Sequence, residues 1–212
     1  MRRTLIGFVA FLMFAGTRAG SAQVIFNGGA PNQANGNEMT QWVQYNDFAF
    51  ATPETVSEID FWAFEASPGY TGSISWFITS DNAGVPGTTL FSGNQAATVT
   101  PTGNNAVLGI YSESFNQLFV NFTLGAGTYW LGLHNGPLTT DSRNEYYWES
   151  TSSGYGLKGE EDQTPFGDNS FFNNGEDHAF ELLGATPVPE PTSMSLLGMG
   201  LVGLAGLRRR RK

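Results

Sequence analysis

Between residues 23 and 186 the chain is built from short runs in which apolar and polar positions alternate. The alternation is cleanest over 73–80, where Ile74, Trp76 and Ile78 fall on one face, Ser73, Ser75 and Thr79 fall on the other, and Phe77 alone breaks the pattern. Over 55–65, Ile59, Phe61 and Ala63 oppose Asp60, Trp62 and Phe64. Over 116–124, Leu118, Val120, Phe122 and Leu124 share a side, and over 128–134 Tyr129, Leu131 and Leu133 do the same. Shorter strands are predicted at 24–26, 41–50, 88–91, 107–113, 145–149 and 178–183. Between them, 27–37 reads as a Gly/Asn-rich loop, 81–87, 101–105 and 125–127 as turns, and 154–174 as a long ordered loop. No stretch sustains a 3.6-residue apolar period long enough for an ordinary helix. Eight or nine strands at even spacing predict an all-β domain over 23–186, an antiparallel β-sandwich of jelly-roll type.

The pattern changes at both ends. Met1-Arg2-Arg3, an apolar run from Thr4 to Phe14 and Gly20-Ser21-Ala22 have the charge, apolar core and small-residue cleavage site of a secretory signal peptide, 1–22. At the other end, 187–191 forms a linker whose Pro189 and Pro191 hold Val188 and Glu190 in extended backbone that cannot enter a helix. Residues 192–207 carry no charge. As a helix they would reach ~24 Å, less than the ~30 Å of a hydrocarbon core, so the segment suits a transient stay in the inner membrane better than a permanent one. Arg208, Arg209, Arg210, Arg211 and Lys212 then stop transfer and hold the end in the cytoplasm.

This tail, with Val188-Pro189-Glu190-Pro191, a Gly-rich apolar segment and an arginine cluster, resembles the PEP-CTERM sorting signal of Gram-negative, exopolysaccharide-producing bacteria. The resemblance implies a membrane protease of the exosortase type as partner, cleavage near the Pro-Glu-Pro motif, and delivery to the cell surface or extracellular matrix. Segments 56–62, 78–87 and 124–131 resemble surface domains that precede such tails, which implies a sandwich with an accessory or adhesive role.

Charge narrows the partners. Eight of the ten basic residues lie in the two terminal signals, leaving Arg143 and Lys158 against eighteen acids between them, a formal charge of −16. Such a surface repels polyanions, which excludes nucleic acid as a partner and leaves neutral glycans and divalent cations. With no cysteine, the exported fold has no disulfide framework.

Little in the domain is arranged for catalysis. Nucleophilic hydrolysis needs an activated nucleophile with a base in reach, and the chain offers neither a cysteine nor a G-x-S-x-G elbow, only His134 and His178. Two histidines without H-E-x-x-H spacing are a poor zinc set. No catalytic residue is assigned. Glu160, Glu161 and Asp162, with Asp168 and Asn169 in the same loop, are candidate ligands for a structural calcium ion, as are Asp81 and Asn82, although neither group follows the EF-hand pattern. Trp62, Trp130, Tyr147 and Trp148 are the candidates for stacking against sugar rings, although a sandwich core takes up Trp and Tyr more often than a sugar site does. The sequence thus predicts a non-enzymatic matrix or surface protein with a structural or exopolysaccharide-binding role. The alternatives are a glycan-active hydrolase using a carboxylate pair and a structural protein with no ligand.

Overall fold

The structure, a computed structural model, describes residues 22–66, 69–140, 142–163 and 170–185. Apart from Ala22, the expected signal peptide lies outside the described residues, as do the linker, apolar segment and basic tail. Fourteen strands run through the described residues: β1 (Ala22–Asn27), β2 (Pro31–Glu38), β3 (Val43–Phe50), β4 (Glu54–Glu65), β5 (Ile74–Asp81), β6 (Pro86–Gln95), β7 (Thr98–Ala106), β8 (Tyr111–Leu124), β9 (Gly127–Asn135), β10 (Tyr146–Thr151), β11 (Glu160–Asp162), β12 (Phe171–Asn173), β13 (Asp177–His178) and β14 (Phe180–Ala185).

They form two antiparallel sheets. In the eight-stranded sheet, β4 pairs with β8, and β8 with the edge strand β7. The opposite side of β4 is shared between β14, which continues to β1, and β10, which is flanked by β2 and β13. The six-stranded sheet runs β12-β11-β3-β9-β5-β6. One apolar core lies between them: Ile59, Phe61, Leu118 and Leu182 of the first sheet meet Phe48, Ile78 and Leu131 of the second. Each such side chain contributes ~1.5–3 kcal/mol by leaving water. This is the face-to-face packing of a sandwich, and it follows from the alternation, because a strand's side chains point to opposite faces with period two.

Four expectations about local structure are corrected. The expected loop at 27–37 contains β2, whose Gly/Asn-rich backbone pairs with β10; a ladder needs only N–H and C=O groups. The expected turn at 101–105 lies inside β7, because an edge strand can turn a proline's missing donor toward solvent, and a register shift between Pro101 and Asn105 absorbs the irregularity. The chain reverses instead at 107–110, so the two strands expected over 107–124 are the single fourteen-residue β8. Within the expected loop at 154–174, β11 and β12 extend the second sheet.

Candidate functional site

The outward face of β4 organises the site. From Glu58 to Glu65, β4 pairs with β8 without a register break, so Glu58, Asp60, Trp62 and Phe64 follow one another along the face that points away from the core. Phe64 pairs with Tyr147 of β10, and the two rings stack with centroids 5.0 Å apart. Tyr111, at the start of β8, closes on both rings at 5.5 Å. These three aromatics, with Val107 of the β7–β8 turn, line a groove of about 390 Å³. Its polar walls come from Asn35 and Asn37 of β2 and from Asn174 and Glu176 of the segment between β12 and β13.

Two local features hold the groove open. At Gly36 a Cβ would lie 2.6 Å from the Trp148 carbonyl oxygen and 2.7 Å from the Phe64 ring, so only glycine lets β2 cross that ring at this distance. Val107 and Leu108 adopt left-handed backbone, φ 50° and 58°, which costs ~1–3 kcal/mol for each such residue. The turn is fixed by the Val107 N–H donating to the Gln33 carbonyl at 3.0 Å. Arg143, one of the domain's two cations, lies 5.6 Å over the Tyr147 ring and donates to its hydroxyl at 2.5 Å.

Carboxyl groups cluster nearby but do not open into the groove. Burial, followed by the charges of Glu58 and Glu181, pushes Asp60 up to about 8, so it is a neutral acid at neutral pH and shares a hydrogen bond with Glu58. Burial and then Glu113 push Glu149 up to about 7. Gln33 bridges that second pair, its backbone N–H donating to Glu149 at 2.5 Å and its side-chain amide to Glu113 at 3.1 Å. Glu113 and Glu149 are both buried, and neither lines the groove.

The structure separates the four aromatic residues expected to stack on sugar. Trp148 is fully buried in the core, its indole N–H donating to the Ala179 carbonyl at 3.0 Å and its ring stacked on His178. Trp130 is also fully buried, on the outer side of the second sheet with Val43 and Tyr45, and its indole N–H donates to Asp81 at 2.9 Å. A sugar needs an open ring face, which neither indole offers. Tyr147 belongs to the groove, and half-buried Trp62 leans against Phe115 on the same sheet face, centroids 5.1 Å apart. Phe64 and Tyr111 were not singled out from sequence. The outward direction of Phe64 was legible in the β4 alternation, whereas Tyr111 was hidden by the misplaced turn.

Only part of the expected calcium set lies within the described residues. Glu160, Glu161 and Asp162 are consecutive in β11, so they alternate between its faces. Gln44 and Gln163 donate to Glu161, and Asn173 donates to Glu160. Asp168 and Asn169 lie outside the described residues. Among the described residues no group of three or more His, Asp and Glu side chains is placed to hold a metal ion. Asp81 is already engaged by Trp130 and by the Gly84 N–H. His134 and His178 are fully buried, with ring nitrogens facing the Gly136 carbonyl in one case and the amides of Asn46 and Asn37 in the other. Burial pushes His178 down to about 3, leaving it neutral.

No curated protein matches the chain. Residues 187–211 match the model of the PEP-CTERM protein-sorting motif. With Val188-Pro189-Glu190-Pro191, the uncharged segment and Arg208 to Arg211 inside the matched stretch, the chain carries a PEP-CTERM sorting signal, and with it the marks of an exported, surface-sorted substrate for an exosortase.

Proposed function

We propose that this is an exosortase-processed component of the bacterial surface or extracellular matrix whose β-domain binds exopolysaccharide without chemically altering it. The observation that carries this reading is the groove at Phe64, Tyr111 and Tyr147. A sugar ring presents an apolar face that packs against an aromatic plane and a rim of hydroxyls that needs amide and carboxylate partners. Here the half-buried Tyr111 ring lies over the enclosed Phe64–Tyr147 pair, and Asn35 and Glu176 stand in the walls beside Asn37 and Asn174, whose amides are held by His178 and Gln44. A formal charge of −16 between the two terminal signals favours a neutral glycan over a polyanionic one.

A hydrolase would need two acids about 5–10 Å apart lining its cleft. The Glu113–Glu149 pair is enclosed beneath Gln33, which favours the non-catalytic role. The test is retention of the exported protein on exopolysaccharide from the producing cells. Tyr111→Ala, which removes a half-buried ring from the groove and leaves the core untouched, is expected to weaken retention by about tenfold, a change of ~1.4 kcal/mol. Unchanged retention would point instead to a structural protein with no glycan ligand.

A further inference from the structure

The aromatic groove is one end of a longer feature. Two residues back along β4 from Phe64, about 7 Å away, Trp62 and Phe115 form a second aromatic pair, both half-buried and facing outward. One step further, Asp60 lies between Gln117 of β8 and Glu181 of β14. In that row Gln117 donates to Glu58 at 2.5 Å and Asn27 to Glu181 at 2.5 Å. Beyond it, Glu58 pairs with Phe119, whose side chain is 63 % exposed. From Phe64 to Glu58 the unbroken ladder covers ~20 Å, too long for a single sugar or a disaccharide.

Resting on the glycan-binding reading above, we infer that the ligand is a linear, uncharged polysaccharide chain laid along β4, with Trp62 and Phe115 forming a second stacking subsite beside the groove. The order of chemistry along the strand supports this: an aromatic floor, a second aromatic pair, a row of amides and carboxyls, then an exposed ring. Apolar sugar faces and hydroxyl rims would meet these in turn. Glu181, beside Asp60, and Glu58, one row further on, make this stretch unfavourable for a chain bearing uronate or sulfate groups, whereas the half-buried Gln117 and Glu181 offer hydrogen-bond partners to a neutral chain. Trp62 and Phe119 therefore govern affinity for chain length, and Tyr111 governs the groove itself.

The experiment uses exopolysaccharide from the producing cells, partly hydrolysed and sized into short fractions (disaccharide and trisaccharide) and long ones (hexasaccharide and above), with binding measured by calorimetry. The unaltered protein should bind long fractions at least about tenfold more tightly than short ones. Trp62→Ala should close most of that gap, weakening the long fractions more than the short ones. Phe119→Ser, at a position too exposed to unfold the sheet, should narrow the gap in the same direction. Equal affinity for both fractions, or a gap that survives both substitutions, overturns the chain-length inference; if Tyr111→Ala still weakens binding in that case, the groove reading stands. Binding to neither fraction removes both.

Discussion

The ring of Phe64 lies stacked on that of Tyr147, 5.0 Å between centroids and 21° from parallel, because β4 and β10 bring the two residues opposite one another in register. Phe64 is almost completely buried by this contact and by β2 passing above it. Phe64→Ala should therefore cost about 3–5 kcal/mol, as for other buried aromatics, measured by urea denaturation. It should also abolish glycan retention by collapsing the groove floor. Tyr111→Ala should leave stability within about 1 kcal/mol of the parent and affect binding alone.

Gly36 has no room for a methyl group, and the obstacle is partly the Trp148 backbone carbonyl, which cannot rotate away as a side chain could. Gly36→Ala is expected to push β2 off the Phe64 ring at a cost of about 1–3 kcal/mol. Gly132, where a Cβ would lie 2.4 Å from the buried Tyr45 ring, should respond similarly in stability, but being on the other sheet it should leave glycan binding intact. Equal loss of binding in the two variants, at temperatures where both remain folded, would argue against the groove as the site.

Trp148 distinguishes a core role from a binding role. Trp148→Phe keeps a ring against His178 but loses the hydrogen bond to the Ala179 carbonyl, so a loss of about 0.5–1.5 kcal/mol is expected with unchanged affinity for polysaccharide. A selective loss of affinity without destabilisation would return Trp148 to the list of binding residues.

Stability should fall as pH rises through the neutral range. Burial is the first cause of the raised values at Asp47 (about 6), Glu149 (about 7) and Asp60 (about 8); neighbouring acids add to each, with Asp177 and Asp81 at Asp47, Glu113 at Glu149, and Glu58 and Glu181 at Asp60. All three bind protons more tightly folded than unfolded, where carboxyls titrate near 4. Their contribution is therefore complete below about pH 4 and is lost as pH climbs through 6, 7 and 8. Buried His178, lowered to about 3, acts in the opposite sense: its contribution is present above about pH 6.5 and lost as pH falls. Melting temperature should thus decline between about pH 6.5 and 9, and Asp60→Asn should flatten the upper part of that decline. A melting temperature that rises over this range would contradict the assignment.

The strands and their facing were largely legible, because alternation of apolar and polar residues is a direct record of which face is buried. Ile59, Phe61 and Ala63 do point inward, and Asp60, Trp62 and Phe64 outward, as the pattern over 55–65 requires. Composition misled where backbone pairing outweighs side-chain preference: β2 is a strand with scarcely any strand-forming residues, and β7 keeps Pro101 because it is an edge. The site was harder to read. Tyr147 and Trp148 are adjacent in sequence, yet the period-two alternation sends one to the groove and the other to the core, and sequence alone does not say which face carries the second sheet. Asn174 and Glu176 reach the groove only through long-range folding.

The most direct test of the account is the intact mass of the protein recovered from cells with an active exosortase and from otherwise identical cells lacking it. With the protease present, the chain should end close to Pro189-Glu190-Pro191 and be recovered outside the inner membrane. Without it, the form ending in Lys212 should accumulate in the membrane fraction. A chain that keeps Arg208 to Lys212 in both strains, or that is found in the cytosol with residues 1–22 still attached, would contradict it.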